Sequence, residues 1–357
     1  MRALNVFAGS VARARIAARG WDPALFSLLL GAAGGPKWLV LSKLDRVLSS
    51  TLLSPARRGA PLHAFGTSIG SWRHACLAQA DPRDAIARME EGYIEQRYGA
   101  KPSPEEVSAG TSALLERVLG ARGAQEIAAG ARLKTHIGTA RGLRLAAHTG
   151  RKRQLLALLL AAAGNTVDRK HLQRYYQRVV FSGDALAEAG VRFEDFETTV
   201  VPLVPENVAP ALLASASIPL TLAGVRDPPG APPGHYWDGG IVDYHHDLGM
   251  YDGDGLVLYP HFYGHMTPGW FDKLLTRRRA RGAALDHVVV LSPSDEFVKT
   301  LPGAKIPDRG DFTKLETDAR IRRWREVVAR CDALADELGD LLARRDPLAG
   351  VRSFPGR

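Results

Sequence analysis

"HAFGTSIGSWRHA", residues 63–75, sets Gly66 and Gly70 two positions to either side of Ser68. The residues before it, "PLHAFG" (61–66), have the content of a strand, and those after it, 71–79, fit a helix. A serine lifted out of a tight strand-to-helix turn exposes its oxygen. Such a turn leaves no room for side chains two residues away, so G-x-S-x-G in this setting reads as a nucleophile elbow. On its own the pattern is weak, because a glycine-rich chain produces it by chance. The other reading is a small-residue turn in which Ser68 caps the following helix.

Around this stretch, strand and helix signals alternate. Strands are expected at 24–33, 61–66, 132–140, 175–183, 196–204, 255–262 and 286–294, all rich in apolar, β-branched or aromatic residues. "ALFSLLLGAA" (24–33) is apolar throughout, as a strand covered on both faces must be. Helices are expected at 38–53, with Lys43, Asp45 and Arg46 on the solvent side, and at 81–99, 206–219 and 312–342. This alternation predicts a three-layer α/β fold with a central, mostly parallel sheet flanked by helices. One domain over 1–357 is expected, with a core at about 22–300, a helical insertion at about 100–175 and a closing helix at about 312–342.

Hydrophobic residues make up 45% of the 357 and charged residues 24%, which excludes a disordered chain. The longest apolar run, Leu155 to Gly164, is half of what a membrane span requires and is expected to be a buried helix. The net charge is +9, densest at 276–282 and 320–326, and these runs read as solvated helix faces. Anionic lipid is the other partner such charge would suit. Trp324 is the single aromatic within these runs, short of the interleaving that a base-stacking platform needs, so no nucleic-acid partner is expected. Cys76 and Cys331 lack metal or redox spacing and suit a reducing, cytoplasmic setting, with peripheral membrane contact left open. The first 21 residues carry four arginines and no acid. They read as a short amphipathic helix, or as one resting on lipid through Leu4, Val6, Phe7, Val11 and Ile16.

Two further glycine-rich pieces bear on chemistry. "GAAGGPKW" (31–38) lies at another strand-to-helix junction, where Gly34 and Gly35 would let backbone N–H groups face an anion beside Lys37. It is not a nucleotide phosphate loop, because Pro36 precedes the lysine and Trp38 follows it. "WDGG" supplies Asp238, a carboxylate that can act as a base if it is held close to Ser68 and poorly solvated. Each piece alone also reads as a structural turn.

Taken in order, these pieces resemble the patatin-like phospholipase family, lipid acyl hydrolases with a Ser-Asp dyad. The likeness rests on residues 33–38, on Gly66-Thr67-Ser68-Ile69-Gly70, on "ASASIP" (214–219) and on Asp238-Gly239-Gly240. It implies that Ser68 is the nucleophile and Asp238 the base, with the oxyanion hole at Gly34, Gly35 and Lys37 and the elbow glycines at Gly66 and Gly70. The implied substrate is a lipid or other acyl ester, cleaved through an acyl-enzyme with no metal or organic cofactor. Ala33 and Trp38 depart from the family's usual glycines, Lys37 replaces the commoner arginine, and the residues after Asp-Gly-Gly lack its asparagine-proline. Two other readings stay open. One is a Ser-His-Asp esterase drawing on His245, His246, His261, His265 or His287; the other is an inactive binding module with the same fold.

Overall fold

The protein is described from a computed structural model over residues 2–54 and 60–355. Its strands are β1 (Leu4–Ala8), β2 (Phe26–Gly31), β3 (His63–Thr67), β4 (Lys134–Gly142), β5 (Tyr176–Ser182), β6 (Thr198–Pro202), β7 (Val225–Arg226), β8 (His235–Asp238), β9 (Leu256–Pro260), β10 (Val288–Pro293) and β11 (Val351–Arg352). They join in one sheet in the order β11-β1-β10-β9-β2-β3-β4-β5-β6, and the β7-β8 hairpin branches from β4. The run from β10 through β9, β2 and β3 to β4 is parallel. Antiparallel pairs occur where β1 meets β10, where β4 meets β5 and β8, and within the hairpin.

The parallel centre explains the continuous apolar runs. Leu28, Leu29 and Leu30 of β2, Phe65 of β3, and Val257 and Leu258 of β9 are all fully buried, since helices cover both faces of the sheet. Strand β4 is long enough to do two jobs. Its first half pairs with β3, and Thr139, Ala140 and Arg141 then pair with β8, which brings Asp238 back beside the end of β3.

The architecture is the three-layer α/β arrangement that the alternation predicts, with four local corrections. The N-terminal residues do not form one amphipathic helix: β1 comes first, then a helix at Ser10–Arg19. Leu4, Val6, Phe7 and Ile16 are buried, so they do not rest on lipid; five apolar-rich residues satisfy either period, and an open edge at β10 decides for strand. The helix at Arg151–Val167 forms but is not buried, because Leu155, Leu156, Leu159 and Leu160 face outward. The stretch 100–175 is mostly helical as expected, and the strand expected at 132–140 forms as β4, between the helices Pro104–Leu119 and Gly123–Ala129 and the one at Arg151–Val167. The closing helix is broken into Asp311–Lys314, Thr317–Arg330 and Asp332–Ala343. Finally, two charges read as solvated are buried. Arg320 lies inside the run 320–326 and donates to the carbonyl of Ile94, and Asp45 belongs to an internal ion pair.

Candidate active site

Strand β3 ends at Thr67 and the helix Ile69–Ala78 begins at once, with Ser68 between them at φ 52° and ψ −130°. That conformation is strained for a residue with a Cβ, and it turns the side chain out of the chain's path. The neighbouring glycines have a steric cause. A Cβ on Gly70 would stand 2.1 Å from the carbonyl oxygen of Gly31, and one on Gly66 would stand 2.7 Å from the backbone of Gly70. Gly31 and Gly66 are opposite each other in the β2-β3 ladder, so the elbow is packed backbone against backbone.

Three contacts hold the elbow. The Ser68 N–H donates to Ser215 Oγ at 2.8 Å, and Ser215 Oγ in turn donates to the carbonyl of Gly138 on β4 at 2.7 Å. The Ser71 hydroxyl donates to the Ser68 carbonyl at 2.7 Å. Below, Arg73 donates twice to Asp45, at 2.8 and 2.6 Å, both side chains being 1% exposed. This pair ties the elbow helix to the helix Ser42–Ser50.

Asp238 ends β8, and its Oδ2 accepts the Ser68 hydroxyl at 2.7 Å, although the two residues are 170 positions apart. Its Oδ1 accepts the N–H of Gly240 at 2.7 Å. Burial pushes the carboxyl up to about 6, against the hydrogen bonds from Ser68 and Gly240 and the charges of Arg309 and Lys273, which hold it down. The loop after it is fixed by Asp243, which accepts Arg178 Nε at 2.7 Å and Nη2 at 2.9 Å. The Asp243 backbone carbonyl takes the Thr67 hydroxyl at 2.7 Å, which joins this loop to the elbow.

The glycine-rich piece follows β2. The Ala33 N–H is spent on the carbonyl of Tyr244 at 2.8 Å. Gly34 and Gly35 lead into a 3-10 helix at Gly35–Leu41, with Gly35 at a φ of +55°. Trp38 is 1% exposed and meets Tyr93 edge-on at 6.0 Å, so the departure at this position turns into the core.

Ser68 borders two cavities. One, of about 480 Å³, is lined mainly by apolar groups, among them Trp72, Tyr93, Leu114, Ile218, Leu222 and Phe312. The other, of about 280 Å³, contains Gly34, Gly35, Asp238 and three cations, Lys37, Lys273 and Arg309. Burial lowers Lys37, and the nearby Arg309 and Lys305 lower it further against Asp308. Lys273 sits at the rim with its ammonium 4.2 Å from the Tyr244 ring centre. Loss of water there, then repulsion from Lys37 and Arg309, brings it down to about 8.

The residues singled out from sequence thus divide clearly. Ser68, Asp238, Gly34, Gly35 and Lys37 line one cavity, with Gly66 and Gly70 beneath. Among the described residues no histidine nitrogen is hydrogen-bonded to Ser68. His245 accepts the N–H of Thr267 and His246 pairs with the carbonyl of Gly31, while His261 and His287 are held by the carbonyls of Tyr263 and Gly255. Ser215, Asp243, Lys273 and Arg309 were missed. Ser215 lies inside "ASASIP" and was within reach of motif reading, whereas no pattern surrounds the other three.

No curated protein matches the chain. Among solved structures, human GIVD cytosolic phospholipase A2 aligns at 10% identity and a TM-score of 0.42, covering 90% of this chain and 60% of that one. VipD from Legionella pneumophila aligns at 11% identity and a TM-score of 0.36, covering 88% and 67%. This chain therefore spans about three fifths of the length of the human enzyme. The family model for patatin-like phospholipase matches residues 44–245, which include the elbow, "ASASIP" and Asp-Gly-Gly. That span is more than half of the 357 residues, and the chain belongs to the patatin-like phospholipase family.

Proposed function

We propose that this protein cleaves lipid carboxylic esters with Ser68 as nucleophile and Asp238 as its base. Family membership supports lipid hydrolase activity in general. The observation that carries the dyad is the 2.7 Å hydrogen bond from the Ser68 hydroxyl to a buried carboxylate. A carboxylate deprived of water is a stronger base than a solvated one, which is what removing a serine proton requires.

In this mechanism Asp238 takes the proton as Ser68 Oγ bonds to the ester carbonyl carbon. Negative charge on the carbonyl oxygen is met by the backbone N–H groups of Gly34 and Gly35, each such donor contributing about 3 kcal/mol. Collapse of the intermediate breaks the C–O bond, and Asp238 returns the proton to the leaving alkoxide. Water, deprotonated by Asp238, then releases the acid and restores Ser68. The apolar cavity suits the acyl chain, while Lys37, Lys273 and Arg309 favour an anionic group on the leaving side.

The test is hydrolysis of p-nitrophenyl butyrate and of a phospholipid by wild type, Ser68→Ala and Asp238→Asn. Each variant is expected to lose about three orders of magnitude or more in kcat/KM, with melting temperature and cavity retained. A fluorophosphonate probe that leaves wild-type Ser68 unlabelled would favour the inactive binding module instead.

The pH profile gives a second expectation. Asp238 serves as a base only when ionised, so kcat/KM on a neutral ester rises with pH through about 6 to a plateau. For an anionic ester, activity falls again above about 8, as Lys273 loses its charge. Profiles on the two substrates that coincide above pH 8 would remove Lys273 from substrate recognition.

A further inference from the structure

The helix Arg151–Val167 carries apolar side chains on the side that faces solvent. Leu155 is 48% exposed, Leu159 is 59% and Val167 is 76%, with Leu156 and Leu160 similarly open. At about 100° per residue these five fall within an arc of roughly 140°. The opposite face, Gln154, Ala157, Ala161 and Asn165, is the buried one. Leu274, 92% exposed, extends the patch from the neighbouring segment. That segment is tied to the helix by a hydrogen bond from Asn165 to Asp272 at 2.7 Å and by another from Arg277 to the carbonyl of Thr166 at 2.9 Å.

Charge indicates what covers this patch. The helix contains no acidic residue and opens with Arg151, Lys152 and Arg153, all exposed. Lys170, Arg174 and Arg277 stand exposed beyond its other end. An apolar stripe on a helix without acid, with basic flanks in which Asp168 is outnumbered by Arg151, Lys152, Arg153, Lys170, Arg174 and Arg277, matches an anionic lipid surface, where leucines enter the acyl boundary and arginines meet headgroups.

The same helix is joined to the candidate active site. Gln154 accepts the N–H of Leu220 at 3.0 Å, and Leu158, on the half-buried flank, lines the cavity with Ser68 and Asp238. Leu220 and its neighbours Ile218 and Pro219 line that cavity too. We propose that Arg151–Val167, with Leu274, is a docking surface for anionic membranes that places the mouth of the Ser68 cavity against the lipid. The catalytic part of this statement rests on the proposed function, whereas the binding part does not.

The experiment is sedimentation of the full chain at low salt with vesicles of phosphatidylglycerol and, separately, of phosphatidylcholine. Wild type and Ser68→Ala are both expected to pellet with phosphatidylglycerol and several-fold less with phosphatidylcholine. Replacing Leu155, Leu156, Leu159 and Leu160 with serine is expected to lower the partition coefficient by about tenfold or more, with an unchanged melting temperature. Leu159→Glu repeats the test if the fourfold variant fails to express.

Wild-type protein left in the supernatant with phosphatidylglycerol overturns the proposal, and so do leucine variants that bind as well as wild type. Equal binding to both lipids overturns its anionic part. A wild-type dimer that the leucine changes split, without vesicle binding, assigns the patch to a second copy and also overturns it. Binding by a protein that hydrolyses no ester leaves the docking surface standing and removes the dyad.

Discussion

Two helices of this protein reverse what their composition suggests. The elbow helix Ile69–Ala78, "IGSWRHACLA", contains an arginine, a histidine and a serine, yet every one of its residues is buried. The helix Arg151–Val167 contains "LLALLLAAAG" and exposes most of its leucines. Position in the sheet accounts for the difference. The first helix follows β3, near the middle of the parallel run, and packs against other helices on its outer side. The second follows β4, and it meets the protein through Gln154, Ala157, Ala161 and Asn165 while four of its five leucines face outward. Polar groups can be buried where partners are supplied, and apolar groups stay exposed where nothing arrives to cover them.

The comparison breaks most readily at the ion pair. Asp45→Ala leaves Arg73 buried without its carboxylate, and a loss of about 4 kcal/mol in unfolding free energy is expected by urea titration. A loss below about 1 kcal/mol would mean that water reaches Arg73 and that the elbow helix is less enclosed than its burial indicates. Gly70→Ala tests the backbone packing of the same helix. Its new Cβ meets the Gly31 oxygen, so a destabilisation of about 3 kcal/mol is expected, with activity lost through a displaced Ser68. The smallest effect belongs to the other helix. Leu159→Ser, measured by thermal melting, is expected to change stability by no more than about 0.5 kcal/mol, because the side chain is already in water. A larger loss would show that the leucine face is covered in solution.

Much of the site was legible because its motifs are local. Gly66, Ser68 and Gly70 form a turn whose geometry is fixed within five residues, and Asp238 is marked by the two glycines that follow it. The central strands were legible because burial on both faces leaves a continuous apolar run. Strand β1 was not, since a short apolar segment with arginines after it satisfies helix and strand periods alike. Asp45 was placed in solvent because neighbours on the same helix are charged, and nothing nearby announces the Arg73 it meets.

By itself, then, the sequence determined the α/β alternation, the strained serine turn and the glycine-flanked acid, all of which depend on residues close together along the chain. Tertiary structure alone decided the rest. It set the 2.7 Å contact between Ser68 and Asp238, the convergence of Lys37, Lys273 and Arg309, and the outward turn of the leucines. Each of these depends on which distant segments the sheet order brings together, and desolvation, charge and exposure follow from that neighbourhood rather than from residue type.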